Sequence, residues 1–218
     1  KEVSEKYTAE YLDILKELNI NNITQTPKVT DYISQMHDVI SQLIEKGFAY
    51  EVNGSVYFRV GKIDTYGLQH KVTNNEHDHD EAPNADKENH IDFALWKKTD
   101  KGITWDSPWG AGRPGWHTEC VAFINDIFGG ETIDIHGGGI DLRFPHHTNE
   151  DAQFKGLTGK QLAKAFSYVG HVHMGGNKMS KSEGNIPLAK DFLKKNTASL
   201  LRYLLISANY TKPVNFNQ

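Results

Sequence analysis

A single cysteine, Cys120, stands among 218 residues, so no disulfide can close within the chain and a reducing, cytoplasmic setting is expected. No stretch approaches the roughly 20 consecutive apolar residues needed to span a bilayer. The first residues are rich in Lys and Glu and do not have the apolar centre of a secretory signal. Positive charge is not in excess either: 24 Lys and Arg against 28 Asp and Glu leave a net charge of -4. That balance argues against a chain whose main affinity comes from coating nucleic-acid phosphate. No internal repeat is found. At 38% hydrophobic and 24% charged, the composition is that of an ordinary globular protein long enough for one or two domains.

What the chain does have is led by Lys178-Met179-Ser180-Lys181-Ser182, held between Gly175-Gly176-Asn177 and Glu183-Gly184-Asn185. Glycines on both sides free the backbone, which places two cations and two hydroxyls on a loop able to swing. Such a loop suits a polyphosphate, whose oxygens Lys178 and Lys181 would neutralise on closure. An isolated Lys-Ser run is more often a solvated loop, so the weight rests on what accompanies it.

Apolar residues Tyr7, Tyr11, Ile14, Leu15 and Leu18 recur at helical spacing and predict a helix ending near Asn19. The same period predicts a second helix over Pro27–Lys46, with Ile33, Met36, Ile40, Leu43 and Ile44 on its apolar stripe, stopped by Gly47. Around Asn53-Gly54, residues 50–52 and 55–60 alternate as a hairpin. Residues 74–90 are polar and acidic and read as a mobile loop rather than a His/Asp metal site. Phe93-Ala94-Leu95-Trp96 reads as a buried strand, and residues 108–116 as a Gly/Pro/aromatic loop before a helix over 117–128. Thr132–His136 is a strand running into Gly137-Gly138-Gly139, Asn149–Lys155 a helix, and Val169–Met174 a strand delivering the lysine loop. This is the grammar of an α/β fold with a parallel sheet and its site at the strand ends. Lys1 opens directly into a helical pattern and residues 215–218 stop in mid-phrase, so an internal piece of a longer polypeptide is expected.

His146 and Glu150 are four apart, the spacing of one helix face, with Pro145 near the helix start. Imidazole and carboxylate are both zinc ligands, and a thiolate from Cys120 would make a third and leave one position open. The alternatives are a surface pair, a hydrogen-bonded core histidine, and a cysteine that is only a small buried apolar group. His136-Gly137-Gly138-Gly139-Ile140-Asp141 has neither dinucleotide nor P-loop spacing. Its bare backbone would let a ligand lie close, with His136 on one side and Asp141 on the other. A tight turn capped by Asp141 is the plain alternative. Trp116 beside Cys120 would wall a small pocket, although core packing is the commoner fate of tryptophan.

Taken together, Asp92–Lys97, Ser107–His117, Asp134–Gly139, Asp141-Leu142, Phe144–His147, Asn149-Glu150 and Lys178–Asn185 resemble the class I aminoacyl-tRNA synthetases, and within them the cysteinyl-tRNA synthetases. The likeness covers essentially the whole chain. It implies a Rossmann-like (HUP-type) parallel sheet, present as the second half of the catalytic domain, with an inserted α+β connective region. By resemblance, residues 1–19 are a helix before the insertion, 20–110 the insertion, 111–190 the half-domain with its signature loop, and 191–218 the start of a helical stem-contact region. Carried over by position, Cys120, His146 and Glu150 match zinc ligands, Lys181 the ATP-binding lysine, and Trp116 with His136 the amino-acid pocket. Asp141 falls in an active-site Gly-x-Asp element and is taken as ATP-binding. Thr148 stands where the family often has an acidic residue. The upstream half-sheet with its His-Ile-Gly-His signature, a fourth zinc ligand and the anticodon-binding region are not in this sequence.

The resemblance implies activation of cysteine by ATP with Mg2+ and transfer to tRNA(Cys), with one zinc per chain reading the thiol. The rivals are a ligase that joins cysteine to an amino sugar-inositol, a zinc hydrolase using Glu150 as base, and a non-catalytic nucleic-acid-binding piece. The hydrolase leaves the lysine loop unexplained, and the binding module has no basic stripe.

Overall fold

The structure is a computed structural model that describes residues 2–68, 85–174, 177–179 and 188–216. In chain order it comprises α1 (Glu2–Glu17), α2 (Ile33–Glu45), β1 (Ala49–Val52), β2 (Ser55–Phe58), β3 (Phe93–Lys98), β4 (Gly112–Pro114), α3 (Thr118–Ile127) and β5 (Ile133–Gly139). There follow α4 (Thr148–Thr158), β6 (Ala163–Val169), β7 (Val172–Met174), β8 (Asn177–Lys178), α5 (Ala189–Leu193), α6 (Ala198–Ile206) and β9 (Val214–Phe216). Two compact units result, one of Pro27–Ser167 and one of Lys1–Thr26 with Tyr168–Gln218.

In the Pro27–Ser167 unit, strands β1-β2-β3-β4 form an antiparallel sheet. The expected hairpin is there: Asn53 (φ 53°) and Gly54 (φ 87°) are both left-handed, as a two-residue turn with the strands' own twist requires. α2 begins at Ile33, later than the sequence pattern suggested, because residues 29–31 form a separate 3-10 turn. It ends as expected, with Gly47 at φ 78° and Phe48 N–H bonded to Leu43 O.

Met36, Val39, Ile40 and Leu43 of α2 are buried against Val56, Phe58, Phe93, Leu95 and Trp96 of the sheet. α3 adds Val121, Ala122 and Ile124 to this core and α4 adds Ala152, Phe154 and Leu157. Each large apolar side chain so buried is worth roughly 1.5–3 kcal/mol. Ala94 lies in a separate cluster with Tyr50 and Tyr57, so the whole four-residue apolar run of β3 is covered.

Buried Asp92 immediately precedes β3. It accepts from Tyr50 Oη (2.9 Å), Val60 N (3.0 Å) and Asn89 N (3.2 Å), so its charge does not stand bare. The same tyrosine oxygen accepts from Glu88 N, and Arg59 clasps the Glu88 carboxylate at 2.8 and 2.9 Å. Residues 85–90, expected to be part of a mobile loop, are thus tethered. Residues 74–84 of that expectation lie outside the described residues.

β5 lies beside β6 in a two-stranded sheet, with α4 between them in sequence. The triple glycine, for which a tight turn was the plain alternative, instead continues β5 as far as Gly139. Where one strand over Val169–Met174 was expected, the chain breaks at Gly170-His171 into β6 and β7, and the strand beginning at Ala163 was not foreseen.

The other unit holds α1, α5, α6 and a small sheet in the order β8-β7-β9. β7 and β9 are parallel, and β7 and β8 antiparallel with His173 opposite Lys178. Lys178, expected on a loop, therefore has its backbone in a short strand. Lys181 lies outside the described residues. Lys190 Nζ reaches Glu10 at 2.9 Å, and the backbone oxygen of Leu18 accepts from Arg202. Thr197 caps α6 by accepting from Leu200 N. Among the described residues no helix is long and apolar enough to cross a membrane.

Candidate metal centre

Three elements of the Pro27–Ser167 unit converge on Glu150. α3 carries Cys120, β5 carries His136, and the wide turn Arg143–His147 leads into α4 with His146 and His147 at its end. The sequence spacing places His146 and Glu150 in one helical turn. In the structure α4 starts only at Thr148, Phe144 is extended, and the pair meets across the junction.

Glu150 is fully buried, and so are its neighbours on α4, Asn149 and Gln153. Its Oε2 accepts from His136 Nε2 at 2.8 Å. Its Oε1 stands 2.8 Å from His146 Nε2 but has no aligned hydrogen bond. His146 Nε2 is 3.8 Å from Cys120 Sγ, and His146 Nδ1 is 2.9 Å from His117 Nδ1. Burial alone would raise the Glu150 carboxyl, but the contacts to His136 and His146 outweigh it and hold the group at about 2. Burial, and then the Glu150 charge, push the Cys120 thiol above its ordinary range, so in the metal-free chain it is protonated. A bound cation reverses that preference, because coordination favours thiolate.

One ligand atom each from Cys120, His146 and Glu150 lie within 4.8 Å of one another, and so do those of His136, His147 and Glu150. The first set has the mixed S, N and O donors of a zinc site with an open position. Bond lengths of about 2.0–2.3 Å imply ligand-to-ligand spacings of roughly 3.3–3.8 Å around a tetrahedral ion. The Cys120–His146 spacing fits that figure, and the Glu150–His146 gap needs to open by about half an ångström. The buried, unbonded Oε1 is the vacancy in the hydrogen-bond pattern that a cation would satisfy. In the second set, the Nε2–Oε2 contact is aligned as a hydrogen bond, so a proton occupies that gap.

Trp116 stacks on His146 with ring centroids 4.4 Å apart while staying 57% exposed, so it forms an outer wall and is not core. Asp141 is exposed in the 3-10 turn after β5. The bare backbone at Gly138 has an occupant within the protein: a Cβ there would come 2.8 Å from the His147 ring. Sequence reasoning gave no role to His117 or His147. Their adjacency to Trp116 and His146 was the available signal, but spacing does not show which nitrogen meets which.

A family model for the tRNA synthetases class I (C) catalytic domain matches residues 1–218. A cysteine–tRNA ligase of Streptococcus pyogenes serotype M3 is 45% identical over 224 residues, which cover 100% of this chain and 50% of that protein. A cysteine–tRNA ligase of Mycoplasma mycoides subsp. mycoides is 44% identical over 223 residues, covering 99% and 50% respectively. The chain spans about half the length of the curated relatives it matches. Among solved structures, Mycobacterium tuberculosis methionyl-tRNA synthetase in complex with methionyl-adenylate aligns with a TM-score of 0.65 at 14% identity, over 95% of this chain and 52% of that one. At that identity the likeness speaks for the α/β fold alone.

Proposed function

The chain belongs to the class I (C) tRNA synthetase catalytic-domain family, and from that premise we propose that, within a longer polypeptide, it activates cysteine with ATP and passes it to tRNA(Cys). The observation that carries the cysteine specificity is the convergence of Cys120 Sγ, His146 Nε2 and the unbonded Glu150 Oε1. Zinc held there would supply a soft acceptor that binds a substrate thiolate far better than an alcohol.

The chain's own residues do the rest. Trp116 shields the centre on its open side, and His136 closes it from β5. Lys178 and Lys181 neutralise the phosphates of ATP and the charge that grows on departing pyrophosphate, with Mg2+ brought by the nucleotide. Asp141 holds the adenosine side. Residues 20–110 serve as the connective insertion, 111–190 as the half-domain and 191–218 as the start of the stem-contact region.

A hydrolase reading is weaker on this geometry. Its general base would have to be Glu150, whose Oε2 is bonded to His136 and whose Oε1 is the oxygen the metal would take.

Serine is slightly smaller than cysteine and differs by one atom, so shape alone yields about 1–3 kcal/mol of discrimination, while faithful use of cysteine calls for roughly 10⁴-fold. The test is pyrophosphate exchange by the full-length protein with each amino acid, before and after chelation. Chelation, and Cys120→Ser, are expected to abolish cysteine activation without making serine a substrate. A metal-free protein still preferring cysteine about 10⁴-fold would remove the metal from the reading.

A further inference from the structure

Two histidines stand behind the candidate ligands. His117 Nδ1 is 2.9 Å from His146 Nδ1, and His136 Nε2 is 2.8 Å from Glu150 Oε2. We propose that His117 and His136 are positioning residues that fix the tautomer of His146 and the orientation of Glu150, an assignment that rests on the metal reading above.

Two imidazole nitrogens come within 2.9 Å only with a proton between them. A cation taken up on His146 Nε2, the nitrogen on the side of Cys120 Sγ and Glu150 Oε1, requires the ring proton to sit on Nδ1. His117 Nδ1, 2.9 Å from that nitrogen, is the acceptor placed to hold the proton there. The contact to His117 thus favours the ligand tautomer.

On the other side, the hydrogen bond from His136 occupies Oε2 and leaves Oε1 as the oxygen facing His146. Both supporting rings are themselves held. His117 is buried, edge-on to Phe93 at 5.7 Å and tilted on Trp116 at 5.3 Å. His136 packs on His147 at 4.3 Å and edge-on to Phe166 at 5.7 Å. They come from separate elements, one just before α3 and one within β5, so each ligand is braced independently.

Cobalt(II) titration of the full-length protein tests this through the visible d–d bands and through chelator competition, neither of which depends on catalysis. His117→Phe and His136→Phe keep an aromatic ring but remove the nitrogens. Each is expected to weaken metal binding about 10–100-fold and to alter the cobalt spectrum. His117→Asn and His136→Gln return a polar atom near Nδ1 and Nε2 respectively and are expected to recover most of the affinity.

Phe variants that fold and bind cobalt with wild-type affinity and spectrum overturn the assignment while leaving the metal reading in place. Where a Phe variant does not fold, the decision moves to His117→Asn against His117→Leu and His136→Gln against His136→Leu, and equal affinities within a pair overturn it. A wild-type protein that takes up no cobalt overturns the metal reading and this assignment with it.

Discussion

Glu150 and His37 show how burial acts on single ionisable groups in opposite company. Glu150 keeps its charge without water because His136 and His146 face its two oxygens, and it stays ionised far below the ordinary carboxylate range. His37 on α2 has no such partner. Its Nε2 is buried without a hydrogen bond, and its ring meets Trp96 at 4.9 Å and Trp109 at 5.8 Å. Burial lowers its pKa below 6.5, with Asp38 partly offsetting the effect. The unfolded chain therefore takes up this proton before the folded one does. Its contribution is fully present above about pH 6.5 and is lost as pH falls below that towards the depressed folded value. His37→Phe is expected to flatten the dependence of unfolding free energy on pH as pH falls below about 6.5. Urea unfolding at a series of pH values measures this, and an unchanged slope would show that His37 does not titrate in that window.

The elements deliver the site by close backbone approach. β4 pairs with β3 so that Trp96 faces Pro114, and Gly115 N–H then bonds to Leu95 O at 2.7 Å. A Cβ on Gly115 would run into the carbonyl oxygen of Ala94, inside any permissible contact distance. The chain must be this near the sheet for the next residues, Trp116 and His117, to reach His146. Gly115→Ala is expected to cost about 1–3 kcal/mol, the scale of forcing extra volume into a packed interior. Gly61→Ala, at a position with nothing within 4 Å of the added carbon, is expected to stay within about 0.5 kcal/mol. Chemical denaturation of the two variants side by side decides the matter, and equal costs would mean that the strand end can move away freely.

For the molecule as a whole, a metal that binds only the folded state is a stabiliser. Saturating at 100 times its dissociation constant adds about 2.7 kcal/mol. For a domain of this length that corresponds to a rise in melting temperature of roughly 5–10 °C. Zinc is expected to raise the melting point of the full-length protein on that scale, chelation to reverse it, and Cys120→Ser to abolish the response. Differential scanning calorimetry with and without metal reads this directly, and a zinc effect that survives Cys120→Ser would place the ion elsewhere.

Elements with local causes are legible in the chain alone: the Asn53-Gly54 hairpin, the stop of α2 at Gly47, the apolar run of β3. Residue type singled out Cys120, and a four-residue spacing the pair His146 and Glu150, although the pair meets across the start of α4 and not on one helix face. In the sequence Gly137–Gly139 reads as bare backbone open to a ligand, with a tight turn as the alternative, whereas in the fold the stretch continues β5 and it is the His147 ring that lies against Gly138. The break at Gly170-His171 likewise has a distant neighbour beside it, since Gly170 N–H bonds to Tyr210 O and a Cβ on Gly170 would run into the Lys212 carbonyl. Packing alone brings Cys120 of α3 up to His146, 26 residues later in the turn before α4, sets His117 and His136 behind the candidate ligands, and fixes which carboxylate oxygen is left unbonded. Hydrogen bonds act over about 3 Å between groups far apart in the chain, so their pairing is a property of the packed fold.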